Sequence, residues 1–158
     1  MKKTICQIRR LSISAAFITL ILSSTIYGHC EIPCGIYGDS LRMEMIKEHI
    51  TTIEKSMNQI NLLSKESTAN INQLVRWVRN KEEHANKIQD IVSQYFLHQR
   101  IKLTDPVDDK YEQYVTNLTL LHEISVYSMK AKQSTDLNII DNLKKSITTF
   151  EENYFHRH

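Results

Sequence analysis

Four stretches of helical periodicity constrain the fold of this 158-residue chain more than any other feature. After residue 39 the sequence has no glycine and a single proline, and its apolar residues recur every three or four positions, as they do along the buried face of an amphipathic helix. The first and fourth stretches give the stripes Ile46, Ile50, Ile53, Met57, Ile60 and Ile140, Leu143, Ile147, Phe150, Tyr154. The second gives Ile71, Leu74, Val78, Ala85, Ile88, Val92, Tyr95, with Lys81 interrupting the stripe between Val78 and Ala85. The third gives Tyr111, Tyr114, Leu118, Leu121, Ser125.

The breaks between these stretches are short and hold residues that begin helices. Pro106 follows Asp105, an arrangement typical of a helix that is capped by the aspartate and starts at the proline. Short connections between helices of about 20 to 30 residues favour antiparallel neighbours. The sequence therefore predicts an all-α fold, an up-and-down four-helix bundle that forms a single domain over residues 39–158.

The first 28 residues differ in character from the rest of the chain. Four basic residues lie among the first ten, an apolar run extends over 11–26, and no acidic residue interrupts either. This layout is typical of a secretory signal peptide, so we predict cleavage after Gly28 and export to the periplasm or the exterior. Because about 17 to 25 apolar residues span a bilayer, an uncleaved leader that anchors the chain in a membrane is one alternative. The other is a cytoplasmic protein in which the leader is a pro-segment.

Removal of the leader changes the charge of the chain. Of 20 basic residues four lie in the leader, so after cleavage 16 basic residues stand against 18 acidic ones. A nucleic-acid-binding surface is marked by clustered lysine and arginine and by a high isoelectric point. The composition therefore predicts no nucleic-acid partner, and it predicts membrane contact only through an uncleaved leader.

Two cysteines, Cys30 and Cys34, remain beyond the leader, which contains Cys6. In an exported protein a cysteine pair often forms a disulfide, so a bridge between them is one interpretation. Such a bridge would close a very short loop, where the stability gained by restricting the unfolded chain is small. The other interpretation is that both thiols are metal ligands.

Residues 29–38 form a segment that we call the hook, and its first nine residues read His-Cys-Glu-Ile-Pro-Cys-Gly-Ile-Tyr. A cut before His29 would give this residue a free amine beside its imidazole, while Cys30 offers an amide nitrogen and a thiolate and Cys34 a second thiolate. The proline before Cys34 and the glycine after it favour the tight reversal that brings the thiolates together. One amine, one amide nitrogen and two thiolates suit planar Ni(II) or Cu(II), with the imidazole as a fifth ligand. Tetrahedral zinc usually takes two separated ligand pairs, and the sequence has no second pair.

The string His-Cys-x-x-Pro-Cys-Gly-x-Tyr, followed by a four-helix bundle, closely resembles the nickel-containing superoxide dismutase family. The resemblance implies one nickel ion per subunit, bound by His29, Cys30 and Cys34. It also implies that the ion cycles between Ni(II) and Ni(III) and converts superoxide to dioxygen and hydrogen peroxide. Family members are hexamers, so a homohexamer is expected on the same ground.

The resemblance assigns roles to three further residues. Tyr37 matches a tyrosine over the open face of the metal, Tyr95 a second tyrosine near it, and Glu44 an acid that holds the axial imidazole by a hydrogen bond. From the residues alone, Tyr37 also fits a side chain that packs the hook on the bundle. Tyr95 equally fits a core position, and Glu44 a solvated helix face.

Two positions depart from the family pattern. Leu97 stands where members often have a lysine, and His84 stands where some have an arginine. The first difference removes a local positive charge that would guide anionic superoxide. Because electrostatic steering of an anion changes the rate of encounter, we expect slower turnover with unchanged chemistry.

Three hypotheses therefore follow from the sequence. The first is an exported nickel superoxide dismutase. The second is an exported carrier that binds nickel or copper in the same hook without turnover. The third is a helical bundle anchored in a membrane by its leader, in which the amine of His29 is never freed.

Overall fold

The computed structural model describes residues 35–65 and 70–155. Within these ranges the chain forms four α-helices: α1 (Asp39–Leu63), α2 (Ile71–Asp90), α3 (Tyr111–Gln133) and α4 (Asn138–Phe155). A π-helical segment, Ile91–Arg100, continues directly from α2. The described ranges contain no β-strand, and none of their helices is long and apolar enough to cross a membrane.

Each helix packs against the next one along the chain, and α4 packs back against α1. This order of neighbours is that of an up-and-down bundle, so the predicted fold class is confirmed. Every residue of the first and fourth predicted stripes is buried. The helical period of the sequence therefore identifies the core faces of α1 and α4 correctly.

The second stripe is correct in its later part and wrong at two places. Ala85, Ile88 and the residues that follow them in the stripe are buried, but Ile71, the first residue of α2, is 70% exposed. Lys81, which was expected to interrupt the stripe, is only 3% exposed. Its ammonium group donates to the backbone carbonyls of Ala131, Lys132 and Ser134 at 2.5, 2.7 and 3.1 Å. A charged side chain thus holds a core position because the C-terminal end of α3 supplies its acceptors.

The third stripe is wrong in register. The buried residues of α3 are Asn117, Leu120, Leu121, Ile124, Ser128 and Ala131, and of these only Leu121 belongs to the predicted stripe. The core positions include polar side chains with internal partners: Asn117 accepts from Asn153 at 2.9 Å, and Ser128 donates to the carbonyl of Ile124 at 2.8 Å. A hydrophobic pattern does not predict the burial of polar groups that are hydrogen-bonded inside the protein in this way.

The predicted start of the third helix is also wrong, because α3 begins at Tyr111. The side chain of Asp105 accepts from the backbone of Val107 at 3.0 Å, and its carbonyl accepts from the backbone of Asp108 at 2.9 Å. Aspartate favours such turns because its carboxylate bonds to the backbone two residues on. Asp105 and Pro106 therefore form a turn that precedes the helix.

Aromatic side chains fix the π-helical segment against α4. The ring of Phe96 meets the rings of Tyr95, Phe150 and Tyr154 edge to face, with centroids 5.1, 5.2 and 5.6 Å apart. Each such pair contributes about 0.5–1.5 kcal/mol beyond the burial of its area. This packing sets where Tyr95 and its neighbours lie.

Candidate active site

The three predicted metal ligands, His29, Cys30 and Cys34, lie outside the described residues. The described chain starts at Gly35, directly after the last of them. In residues 35–65 and 70–155 no group of three or more His, Cys, Asp or Glu side chains is placed to hold a metal ion. What these ranges supply is the end of the hook and the side chains that meet it.

Gly35 has the backbone conformation that a tight reversal needs. Its φ is +73°, in the left-handed region, which other residues adopt only with strain. A Cβ built on Gly35 would meet no atom within 4 Å, so the requirement for glycine comes from the backbone and not from crowding. The observed conformation agrees with the reversal predicted at this position.

The two tyrosines singled out by the resemblance come together. The rings of Tyr37 and Tyr95 meet at 66° with centroids 6.3 Å apart. Tyr37 is 49% exposed, whereas Tyr95 is 2% exposed. The pair thus consists of one accessible tyrosine that rests on one buried tyrosine.

Asp39, the first residue of α1, joins the buried tyrosine to two other elements. Its carboxylate accepts hydrogen bonds from Tyr95 at 2.5 Å and from Tyr154 of α4 at 2.8 Å. Arg100, the last residue of the π-helical segment, donates to both carboxylate oxygens, at 2.8 and 2.6 Å. We call these four residues the Asp39 cluster. The side chain of Asp39 is 17% exposed, so the four hydrogen bonds from the other three residues largely replace its hydration.

Arg100 also contacts the accessible tyrosine. Its guanidinium carbon lies 4.3 Å from the centroid of the Tyr37 ring, within the range of a cation–π interaction. The backbone N–H of Gly38 donates to the hydroxyl of Tyr95 at 2.8 Å. The end of the hook is therefore held at two points by the Asp39 cluster.

The protonation states within the cluster follow from these contacts. Burial alone would raise the pKa of Asp39, but the hydrogen bonds from Arg100, Tyr95 and Tyr154 together outweigh it and hold the pKa below its ordinary value. Burial, together with the bond to Asp39, raises the pKa of Tyr95 to about 12. Asp39 is thus an anion and Tyr95 a neutral phenol over the whole physiological range.

The π-helical geometry explains how Tyr95 and Arg100 both reach Asp39. The backbone N–H of Ile101 donates to the carbonyl of Phe96, five residues earlier, at 2.9 Å. This wider helix changes the angle between successive side chains relative to an α-helix, and such segments are frequent at functional sites. No feature of the sequence predicts it, because the second stripe keeps its helical spacing from Ala85 through Tyr95.

Glu44 has a different environment from the tyrosine pair. Its side chain is 68% exposed and pairs with Lys47 at 2.9 Å. Lys47 also bonds to Glu151 of α4 at 2.8 Å. Within the described ranges Glu44 is a surface residue near the start of α1, and it is not part of the Asp39 cluster.

Two arginines flank the tyrosine pair, although position 97 has no lysine. Leu97 is partly buried and packs against the core. The guanidinium carbon of Arg42 lies 5.1 Å from the centroid of the Tyr95 ring. Neither this contact nor the role of Arg100 was predicted from the sequence.

His84 contacts a second histidine and not the tyrosine pair. Its Nδ1 is 3.1 Å from the Nδ1 of His49 on α1. The residue that stands where some relatives have arginine is therefore paired with a second histidine.

Most of the chain matches the model of a known protein family. A family model described as nickel-containing superoxide dismutase matches residues 24–158, which is most of the chain and includes the hook. No curated protein and no solved structure matches this chain significantly.

Proposed function

Since this chain belongs to the nickel-containing superoxide dismutase family, we propose that its hook binds one nickel ion per subunit. As a member it is a nickel-dependent oxidoreductase that acts on superoxide. The observation that carries the proposal is that the family match includes every residue of the hook. The match favours an enzyme over a carrier that binds metal without turnover.

The proposed ligands are the amine and imidazole of His29, the amide nitrogen and thiolate of Cys30, and the thiolate of Cys34. This donor set fits nickel, since nitrogen and thiolate donors together suit Ni(II). Residues 35–65 and 70–155 contain no group of three or more His, Cys, Asp or Glu side chains placed to hold a metal ion. The bound ion would supply one-electron exchange between Ni(II) and Ni(III), by which one superoxide is oxidised to dioxygen and the next is reduced to hydrogen peroxide.

The two tyrosines have different roles in this proposal. The hydroxyl of Tyr95 donates its only proton to Asp39, and its raised pKa of about 12 keeps that proton in place. Tyr95 is therefore a positioning residue that supports the ring of Tyr37. Tyr37 follows Cys34 by three residues and is half exposed, so its hydroxyl is the one that orders superoxide or water at the open face.

Arg42 is the residue that attracts the anionic substrate to the site. The charge of Arg100 is balanced by Asp39, whereas no carboxylate within the described ranges forms an ion pair with Arg42. An unbalanced cation beside the tyrosine pair raises the local concentration of superoxide, and salt screens this effect. Arg42 of α1 thus attracts superoxide in place of the lysine that is absent at position 97.

Glu44 is proposed to accept a hydrogen bond from the imidazole of His29. Support comes from the family pattern and from the exposure of its carboxylate near the start of α1. Its present bond to Lys47 is a weak obstacle, because exposed ion pairs contribute about 0–1 kcal/mol.

The processing and assembly of the chain complete the proposal. We propose that residues 1–28 are an export leader, that 29–38 form the nickel hook and that 39–158 form the bundle. The basic and apolar order of the leader supports secretion. The proposed homohexamer rests on the family resemblance, and the exposed side chains of Ile36 and Leu41, at 77% and 63%, give apolar surface that a neighbouring subunit would cover.

The Cys34→Ser variant tests the proposed ligand set. Loss of one thiolate should reduce nickel from about one ion per chain to a trace, because planar coordination loses a donor that favours nickel. Superoxide consumption in stopped-flow assays should fall to the uncatalysed rate. Ser40→Ala, at an exposed position in the first turn of α1, is the matched control and should keep both properties. Full nickel-dependent activity in Cys34→Ser would disprove the proposal.

A further inference from the structure

His49 of α1 and His84 of α2 face each other across the interface of these helices. Their Nδ1 atoms are 3.1 Å apart, and the rings meet at 80° with centroids 4.9 Å apart. His49 lies about three helical turns along α1 from Asp39. The pair is therefore distinct from the Asp39 cluster and from the hook.

The separation of the two nitrogens suits a shared metal ion. Imidazole nitrogens bind zinc and similar ions at about 2.0–2.1 Å, so two of them at angles of about 90–110° lie roughly 2.9–3.4 Å apart. The observed 3.1 Å is within this range. Without an ion the same distance fits one N–H···N hydrogen bond between the two Nδ1 atoms. A metal would bind once the donor ring changes to the tautomer with its proton on Nε2, which frees the lone pair of Nδ1 and leaves both rings neutral.

The surroundings keep both rings in the form that binds metal. Burial lowers the pKa of His49, and the neighbouring His84 and Lys87 lower it further. Burial and Lys87 likewise lower the pKa of His84. Glu48 acts on both rings in the opposite direction, and Glu83 does so on His84; both are negative charges that would also favour a bound cation. Both imidazoles are consequently neutral near pH 7 and have a lone pair to donate.

We propose that His49 and His84 form a second metal site, an interhelical two-histidine site for a divalent first-row transition ion. Imidazole suits zinc, copper and nickel. No third His, Cys, Asp or Glu within the described ranges completes a cluster around the pair, so water fills the other positions. The site is therefore reversible and weaker than the hook, and it would link α1 to α2 when it is loaded.

The test is a calorimetric titration of the full chain with Zn²⁺ at pH 7.5. Both chains compared carry Cys30→Ser and Cys34→Ser, which remove the hook thiolates, and one of them also carries His84→Asn. We expect one saturable zinc per chain in the parent and an affinity at least about tenfold lower after His84→Asn, since one of two protein ligands is gone. Zinc should also raise the unfolding midpoint of the parent alone, because only the folded chain brings the two rings together.

Two further variants control this comparison. His122→Asn, at an exposed position of α3, should leave the zinc isotherm unchanged, and His49→Asn should repeat the loss from the other helix. Far-UV circular dichroism checks that each variant keeps its helices. Identical isotherms for the parent and His84→Asn, or a parent without a saturable site, would overturn the inference. Because the hook is disabled in both chains, either result leaves the proposed nickel site untouched.

Discussion

Asp39 and Lys81 are charged side chains removed from water in two regions of one bundle, and they are satisfied in opposite ways. Within the described ranges the ammonium group of Lys81 donates to backbone carbonyls at the end of α3. The carboxylate of Asp39 instead accepts from side chains, and one of them, Arg100, also contacts the half-exposed Tyr37. The hydrogen bonds of Lys81 to the backbone stabilise the fold. The hydrogen bonds of Asp39 to side chains do so too, and they also orient groups that face the substrate. The comparison predicts that the two sites respond differently to mutation.

Loss of Asp39 should have the largest effect, on stability and activity together. Asp39→Ala leaves Arg100 and the hydroxyls of Tyr95 and Tyr154 without their shared acceptor, which should cost about 3 kcal/mol in the free energy of unfolding. Turnover per bound nickel should fall as well, because Tyr37 loses its support. Urea denaturation and stopped-flow assays measure the two effects. Asp90→Ala, which removes an exposed acid, is the control. Normal turnover in Asp39→Ala would show that Asp39 does not orient groups that face the substrate.

Loss of Lys81 should affect stability alone. Lys81→Met keeps the apolar stem but leaves three carbonyls without their donor, so we expect the free energy of unfolding to fall by about 2 kcal/mol. Turnover per bound nickel in the folded enzyme should stay the same. Lys55→Met, at an exposed position of α1, should change neither property. A fall in turnover as large as that of Asp39→Ala would show that the distinction between the two sites is wrong.

The smallest expected effect is a loss of stability in alkali that depends on Tyr95. Its pKa is raised to about 12 in the folded chain, against about 10 for a free tyrosine. The stabilisation is complete below the unfolded value and is lost as pH rises toward 12. The intact protein should therefore lose more stability between pH 10 and 12 than Tyr95→Phe, as measured by urea denaturation at each pH. Tyr114→Phe should behave as the intact protein does, and equal losses in all three would refute the assignment.

The sequence predicted the parts of the fold that depend on apolar periodicity. The buried faces of α1 and α4 follow apolar stripes, so the spacing of apolar residues in the sequence predicts their burial. The face of α3 could not, because Asn117 and Ser128 are buried through hydrogen bonds that no local pattern records.

The candidate site shows the same limit. The resemblance picked out Tyr37 and Tyr95, which the structure brings together. It missed Asp39, because an acid in the first turn of a helix is normally explained by capping and the helix dipole. Arg100 is 61 residues from Asp39 in the chain, and a single sequence has no signal for such a pairing.

The most direct test of the nickel hook is the N-terminal sequence of the protein purified from its native host, together with its metal content. We predict that the mature chain begins at His29 and carries about one nickel ion. Only that cut frees the amine that the proposed ligand set requires. A retained leader, or a first residue other than His29 in a chain that carries nickel and is active, would contradict it.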